Sequence, residues 1–158
     1  MPDTYLIAKT LYILSSTLLF GTGIGTAFQM VWAMRIGNVE TIHSVAAGVV
    51  WADWIFTTPA GLVQPMTGLW LIHPQGYALA EPWLITTYLP YLVGFACCAP
   101  VVHLQIRIRN LAAEALARAE PLPGAARRAH RLWLALDWPA FGALIAVFWL
   151  MVTKPALW

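Results

Sequence analysis

The chain has 158 residues, of which 60% are hydrophobic and only 10% are charged, and its mean hydropathy is +0.69. Soluble domains carry roughly a quarter charged residues, so this composition is typical of an integral membrane protein. A formal net charge of +2 gives no reason to expect a nucleic-acid partner. We expect one domain, residues 1–158, with the lipid bilayer as its principal partner.

Four windows with few charges predict four transmembrane helices, because a bilayer needs roughly 20 apolar residues for each crossing. The windows are Lys9–Arg35, about His43–Trp70, Glu81–Arg107 and Arg131–Lys154. The first and third each enclose 25 uncharged residues, and the fourth contains a single charge, Asp137. The expected fold class is therefore all-α, a four-transmembrane-helix bundle.

The segment between the third and fourth windows is the only sizeable extramembrane piece that the pattern predicts. Its first part, residues 106–120, is rich in alanine, leucine and arginine, which favours an extension of the third helix beyond the bilayer. Pro121, Pro123 and Gly124 should then end that helix before the fourth begins.

Basic residues near the ends of the windows predict the orientation. One side of the membrane holds only Lys9 and Lys154, whereas the other holds seven arginines: Arg35, Arg107, Arg109, Arg118, Arg127, Arg128 and Arg131. This asymmetry predicts a multi-pass protein of the bacterial inner membrane. Both termini are expected in the periplasm, with the third helix extended into the cytoplasm.

Two further patterns concern packing. Gly21 and Gly25 form a GxxxG pair, which predicts a close approach of another helix to the first one. Tyr5, Trp83 and Trp158 are placed where an outer interfacial belt of aromatic residues is expected.

The second window contains polar and small residues at spacings of four, four, three and four, which predicts one stripe on a helix. Its members are Asp53, Thr57, Gly61, Gln64 and Gly68. Lipid cannot satisfy polar groups, so we expect the stripe to face the bundle interior, against Gly21 and Gly25.

Asp53 is the sharpest feature of that stripe, and two interpretations stay open. It is either a buried acid that ties helices together or the centre of a proton or ligand site that includes Thr57 and Gln64. Pro59 and Pro65 each remove a backbone donor nearby, so unsatisfied carbonyl groups are expected there. Asp137 is interpreted either as the partner of Arg131 or His130 in an ion pair or as a further member of the ligand site.

Three histidines are expected at similar depth on the arginine-rich side: His43, His103 and His130. Two imidazoles from facing helices can ligate a haem iron, and Arg131 can hold its propionates, so haem b is a candidate cofactor. The alternative is that these are ordinary interfacial histidines. No other metal site is predicted, since Cys97, Cys98 and His103 do not share a helix face, and no catalytic residue is identified.

Nearly the whole chain resembles a bacterial family of predicted four-helix integral membrane proteins, the domain of unknown function 2269. The resemblance rests on the blocks YLIAKTLYILSSTLLFGTGIGTAF, ADWIFTTPAGLVQPMTGLWL, PVVHLQIRIRNLA and WPAFGALIAVFWLMVTKP. It implies a four-helix membrane fold and no particular activity.

A more distant similarity links the chain to the HemJ-type protoporphyrinogen oxidase and to the CopD copper-resistance membrane domain. It involves Lys9, Pro59, Gly68-Leu69 and Lys154-Pro155. Tyr12 stands where the HemJ-type family has a histidine that is a candidate haem ligand, so that ligand is not carried over.

These observations leave three hypotheses for function. The first is a haem-binding or redox-related membrane protein. The second is a small binding or transport module centred on Asp53. The third is a non-catalytic accessory subunit that packs in a homo-oligomer or in a larger membrane complex.

Overall fold

The computed structural model describes residues 2–155, and within this range the chain is helical with no strand. The elements are α1 (Pro2–Ile36), α2 (Val39–Ala52), a π-helical segment (Asp53–Thr57), α3 (Thr58–Ile72), a 3-10 turn (His73–Gln75), α4 (Pro82–Ala117) and α5 (Gly124–Thr153). Because α2, the π segment and α3 form one continuous span, the described residues contain four helices long and apolar enough to cross a membrane. The predicted four-helix membrane fold is confirmed.

The connections also follow the predicted breaks. α4 has 36 residues, which corresponds to about 54 Å at 1.5 Å per residue and exceeds the roughly 30 Å hydrocarbon core. The predicted extension of the third span is thus present and ends at Ala117. α5 begins at Gly124, directly after Pro123.

The second span changes its main neighbour halfway along its length. Its first half, α2, packs mainly against α4 and also contacts α1, whereas its second half, α3, packs mainly against α1. The π segment lies between the two halves and ends two residues before Pro59. A proline lacks the donor of a regular helical turn, and a single wide turn is a common response to such a disturbance.

We name the two ends of the bundle by their basic residues. The arginine end is where α1 and α4 end and α2 and α5 begin, and the lysine end is where Lys9 and Lys154 lie. The larger buried cluster belongs to the arginine half, where alanines let the helices approach closely around large side chains. It includes Met30, Ile42, Ile108, Ala112, Ala126 and Trp133.

The predicted GxxxG contact is wrong. Gly21 is exposed, and neither Gly21 nor Gly25 has a neighbour within 4 Å of an added Cβ. Gly23 is the close-contact glycine instead, since its ideal Cβ would lie 3.0 Å from the ring of Phe141 on α5. Residues two positions apart on a helix point in nearly opposite directions, so the inward face of α1 passes through Gly23 and leaves Gly21 outside.

The predicted aromatic belt is only partly present. Tyr5 lies at the lysine end, where its hydroxyl accepts a hydrogen bond from Gln75 at 3.4 Å. Trp83 is buried rather than facing lipid, and its ring meets that of Tyr77 edge to face with centroids 5.5 Å apart. Trp158 lies outside the described residues.

Candidate functional site

The first polar region is inside the bundle, at the π segment. Asp53 begins that segment and is only 8% exposed. The Thr57 hydroxyl donates a hydrogen bond of 2.8 Å to Asp53 Oδ1. The acid is therefore in the interior, as its cost in lipid requires, and it has a local donor one turn along its own helix.

Two other helices bring polar side chains to Asp53. Gln105 of α4 is 2% exposed and its amide faces the Asp53 carboxyl. The Gln105 Oε1 atom is buried and accepts no hydrogen bond from the described residues. Asp137 of α5 lies close enough to Asp53 for their charges to interact. We call Asp53, Thr57, Gln105 and Asp137 the acid cluster.

The predicted ion pair of Asp137 with Arg131 or His130 does not form in the described part of the chain, where neither residue is among the groups that interact with Asp137. Arg131 is six residues away on α5, which places it on another face of the helix. His130 shares the face of Asp137 but lies two turns, about 10.5 Å, away.

The remaining members of the predicted stripe face α1, not the acid cluster. Gln64 is 5% exposed and its Oε1 accepts a hydrogen bond from the Ser15 hydroxyl. An added Cβ on Gly61 would contact Leu19, and one on Gly68 would lie 3.2 Å from the Tyr12 ring. The stripe is thus interior along its length, but the π segment divides it between two partner helices.

The second polar region is a cavity of about 230 Å³ at the lysine end, which we call the lysine pocket. Lys9, Tyr12, Gly68 and Lys154 line it, together with further aromatic side chains. These residues come from α1, α3 and the end of α5, so the pocket brings together side chains that are far apart in the sequence.

Lys154 is held firmly in the lysine pocket. Its ammonium group donates hydrogen bonds to Gln75 Oε1 at 3.0 Å and to the Tyr77 hydroxyl at 3.4 Å. It also lies 4.6 Å from the centroid of the Tyr77 ring and 5.8 Å from that of Trp83. These are cation–π distances. Lys154 itself adopts a left-handed backbone conformation with φ of 43°, which ends α5.

The third polar region is a crevice of about 470 Å³ between α1 and α5 at the arginine end, which we call the arginine crevice. Of the four residues proposed for haem, His130 and Arg131 line it, whereas His43 and His103 do not. His103 lies on the exposed face of α4. Within residues 2–155, no group of three or more His, Cys, Asp or Glu side chains is arranged to hold a metal ion.

Sequence reasoning missed several residues that the site uses. Gln105 was not singled out, although a glutamine within an otherwise apolar span is the same signal that identified Gln64. Ser15 and Tyr12, which contact Gln64 and Gly68, carry no comparable signal. Hydroxyl groups in a membrane helix usually bond to their own backbone, as Ser16 does to the Tyr12 carbonyl.

Four apolar helices enclosing a few buried polar side chains define an integral membrane protein of the multi-pass helical class. The profile of the family described as predicted integral membrane protein (DUF2269) matches residues 6–155, and the chain belongs to that family. No curated protein and no solved structure matches the chain.

Proposed function

We propose that the chain is a small membrane binding or transport protein whose acid cluster holds a proton among its acceptor groups. The observation that carries the proposal is an excess of acceptors. The carboxyl groups of Asp53 and Asp137 lie within reach of each other's charge, and the Gln105 side chain beside Asp53 has a buried oxygen with no donor in the described chain. A carboxylate can only accept hydrogen bonds, whereas a protonated carboxyl group can also donate one.

A bound proton improves this arrangement in two ways. It removes one of two like charges that lie near each other in a region of low dielectric constant. It also supplies one more donor to a group of acceptors in which Gln105 Oε1 has none. A small monovalent cation would satisfy the same acceptors, so the test must separate the two occupants.

The location of the cluster supports a binding role rather than a purely structural one. Asp53 begins the π segment, and single π turns inside α-helices are frequent at functional sites. The π segment is also the point where the main neighbour of the second span changes from α4 to α1. Proton occupancy at this point can influence how the two halves of the span pack.

Infrared difference spectroscopy of the purified protein tests the proposal. At neutral pH we expect an absorption band of a protonated carboxyl group that is lost in Asp53→Asn or in Asp137→Asn. The control is Asp3→Asn, because Asp3 is exposed in the first turn of α1. Absence of the band from the unsubstituted protein, or its persistence in both cluster variants, would contradict the proposal.

Two additions sharpen that test. If sodium removes the band, a small cation competes with the proton for the same acceptor groups. Asp53→Asn should fold normally because an amide keeps most of the hydrogen bonding. Asp53→Leu should lower the free energy of unfolding by about 1–3 kcal/mol, because it leaves the Thr57 and Gln105 side chains without a partner.

The haem hypothesis stays a prediction with its own test. The arginine crevice contains one histidine, His130, so the residues there do not fit a haem held by two imidazoles. An absorption spectrum of the protein purified from haem-replete cells decides the matter. A haem band that disappears in His130→Ala, and also in His43→Ala or His103→Ala, would support haem binding, and a colourless protein would exclude it.

The orientation is part of the same proposal. The seven arginines at one end favour a cytoplasmic location for that end, with both termini in the periplasm of the bacterial inner membrane. A reporter that is active only in the cytoplasm should be active when it is inserted between residues 106 and 130. A reporter that is active only in the periplasm should be active when it is fused to the C-terminus. The reverse pattern would contradict it.

A further inference from the structure

The arginine crevice lies between α1 and α5, which make few direct contacts with each other. They meet where the ring of Phe141 packs against Gly23, and Phe20 meets the same ring edge to face at 6.0 Å. At the arginine end a cavity of about 470 Å³ lies between the two helices, and its side walls include the apolar side chains of Val31, Met34 and Leu134.

Three arginines line this crevice. Arg35 lies in the last turn of α1, and Arg127 and Arg131 lie one turn apart on α5, so the two helices present their guanidinium groups to the same space. All three side chains are exposed. A guanidinium group has planar donors that match two oxygens of a phosphate group, and it keeps its charge at any physiological pH.

A fourth polar group in the crevice is buried and lacks a partner. His130 is 8% exposed, and its Nδ1 atom makes no hydrogen bond to the described residues. Its ring lies against Trp133, with centroids 5.6 Å apart. A buried polar atom without a partner is unusual in a folded protein. The Nδ1 atom has almost no accessible surface, so other atoms of the His130 ring line the crevice and are the ones a ligand can contact.

We infer that the arginine crevice binds one anionic phospholipid. The phosphate lies between Arg35 of α1 and the Arg127–Arg131 pair of α5, His130 contacts the polar headgroup region, and an acyl chain lies along the apolar wall. Basic pockets between membrane helices suit anionic headgroups. A zwitterionic lipid would bring an ammonium group toward three arginines, and inorganic phosphate would leave the apolar wall uncovered.

The charge at this end supports an anionic occupant. The arginine end has seven arginines against the three acids Glu40, Glu114 and Glu120, which is a net charge of +4. The lysine end has Lys9 and Lys154 against Asp3 and Glu81, which is zero. An anionic lipid is therefore attracted to the arginine end and not to the other.

Native mass spectrometry measures the binding directly. The purified protein is equilibrated with equal amounts of phosphatidylglycerol and phosphatidylcholine, and we expect one retained phosphatidylglycerol. Each removed arginine should weaken retention about fivefold, so Arg35→Gln with Arg131→Gln should weaken it about 25-fold. The matched control is Arg128→Gln, because Arg128 is exposed on the same helix but does not line the crevice.

Three outcomes would overturn the inference. The first is equal retention of the two lipids. The second is a loss of retention in Arg128→Gln as large as that in the crevice variants. The third is release of bound phosphatidylglycerol by inorganic phosphate at the same concentration at which added free phosphatidylglycerol competes with it. Since the substituted arginines are exposed, the variants should keep the wild-type unfolding transition, which is measured on the same samples. His130→Phe, which keeps the packing on Trp133, should also weaken retention.

Discussion

The lysine pocket and the arginine crevice are both basic cavities at the ends of the bundle, yet they use their cations in opposite ways. Lys154 is surrounded by its own protein, with two hydrogen-bond acceptors and two aromatic rings. The arginines of the crevice are exposed beside an apolar wall and a histidine without a partner. A cation whose hydrogen bonds are made within the protein stabilises the fold. Exposed cations beside an apolar wall are instead available to bind a ligand.

The largest expected effect tests whether the lysine pocket is a packing unit. Trp83→Ala removes a ring that is 5% exposed and that contacts both Tyr77 and Lys154. We expect the free energy of unfolding to fall by about 3–5 kcal/mol, measured by adding denaturing detergent to mixed micelles. Trp138→Ala is the control, since Trp138 is 78% exposed. An equal loss of stability in this variant would contradict the view that the lysine pocket is a packing unit.

The next effect separates the lysine from the rings around it. Lys154→Met keeps the length of the side chain but loses the charged hydrogen bonds to Gln75 and Tyr77. We expect a loss of about 1–2 kcal/mol in the same unfolding measurement, because such bonds contribute about 1.5–3 kcal/mol and Lys154 is partly exposed to solvent. No loss at all would mean that the lysine is as available to a ligand as the arginines are.

A third experiment concerns the contact between α1 and α5 at Gly23. Gly23→Ala places a Cβ 3.0 Å from the Phe141 ring, so we expect it to destabilise the protein by about 1 kcal/mol or more. Gly21→Ala should stabilise it by about 0.5–1 kcal/mol, because nothing lies near that position and alanine favours a helix. The two changes in the free energy of unfolding should therefore differ in sign. Changes of the same sign and size would show that α1 and α5 do not meet at Gly23.

The smallest effect belongs to the arginine crevice. Arg131→Gln removes an exposed charge that makes no ion pair within the described chain. The free energy of unfolding in lipid-free detergent should therefore change by no more than about 0.5 kcal/mol. Adding phosphatidylglycerol should stabilise the unsubstituted protein more than this variant. A large loss of stability in lipid-free detergent would place Arg131 with Lys154 as a structural residue.

Several features of this fold could be predicted from sequence because the bilayer dictates them. Span length, the proline and glycine breaks after α4 and the interior location of Asp53 all follow from the cost of exposing polar groups to lipid. Contacts between helices could not be predicted in this way. Whether Gly21 or Gly23 meets α5, and whether Gln105 faces Asp53, depends on the rotation of each helix, which hydropathy does not specify.

The π segment has a consequence for how the second span tolerates changes in length. Five residues, Asp53–Thr57, occupy a turn that a regular helix makes with fewer. The span therefore carries one spare residue at this place. Removing Ile55 or Phe56, both exposed, should restore regular winding and leave α2 against α4 and α3 against α1. Removing one residue farther along, such as Leu69, should rotate all that follows by about 100° relative to α1.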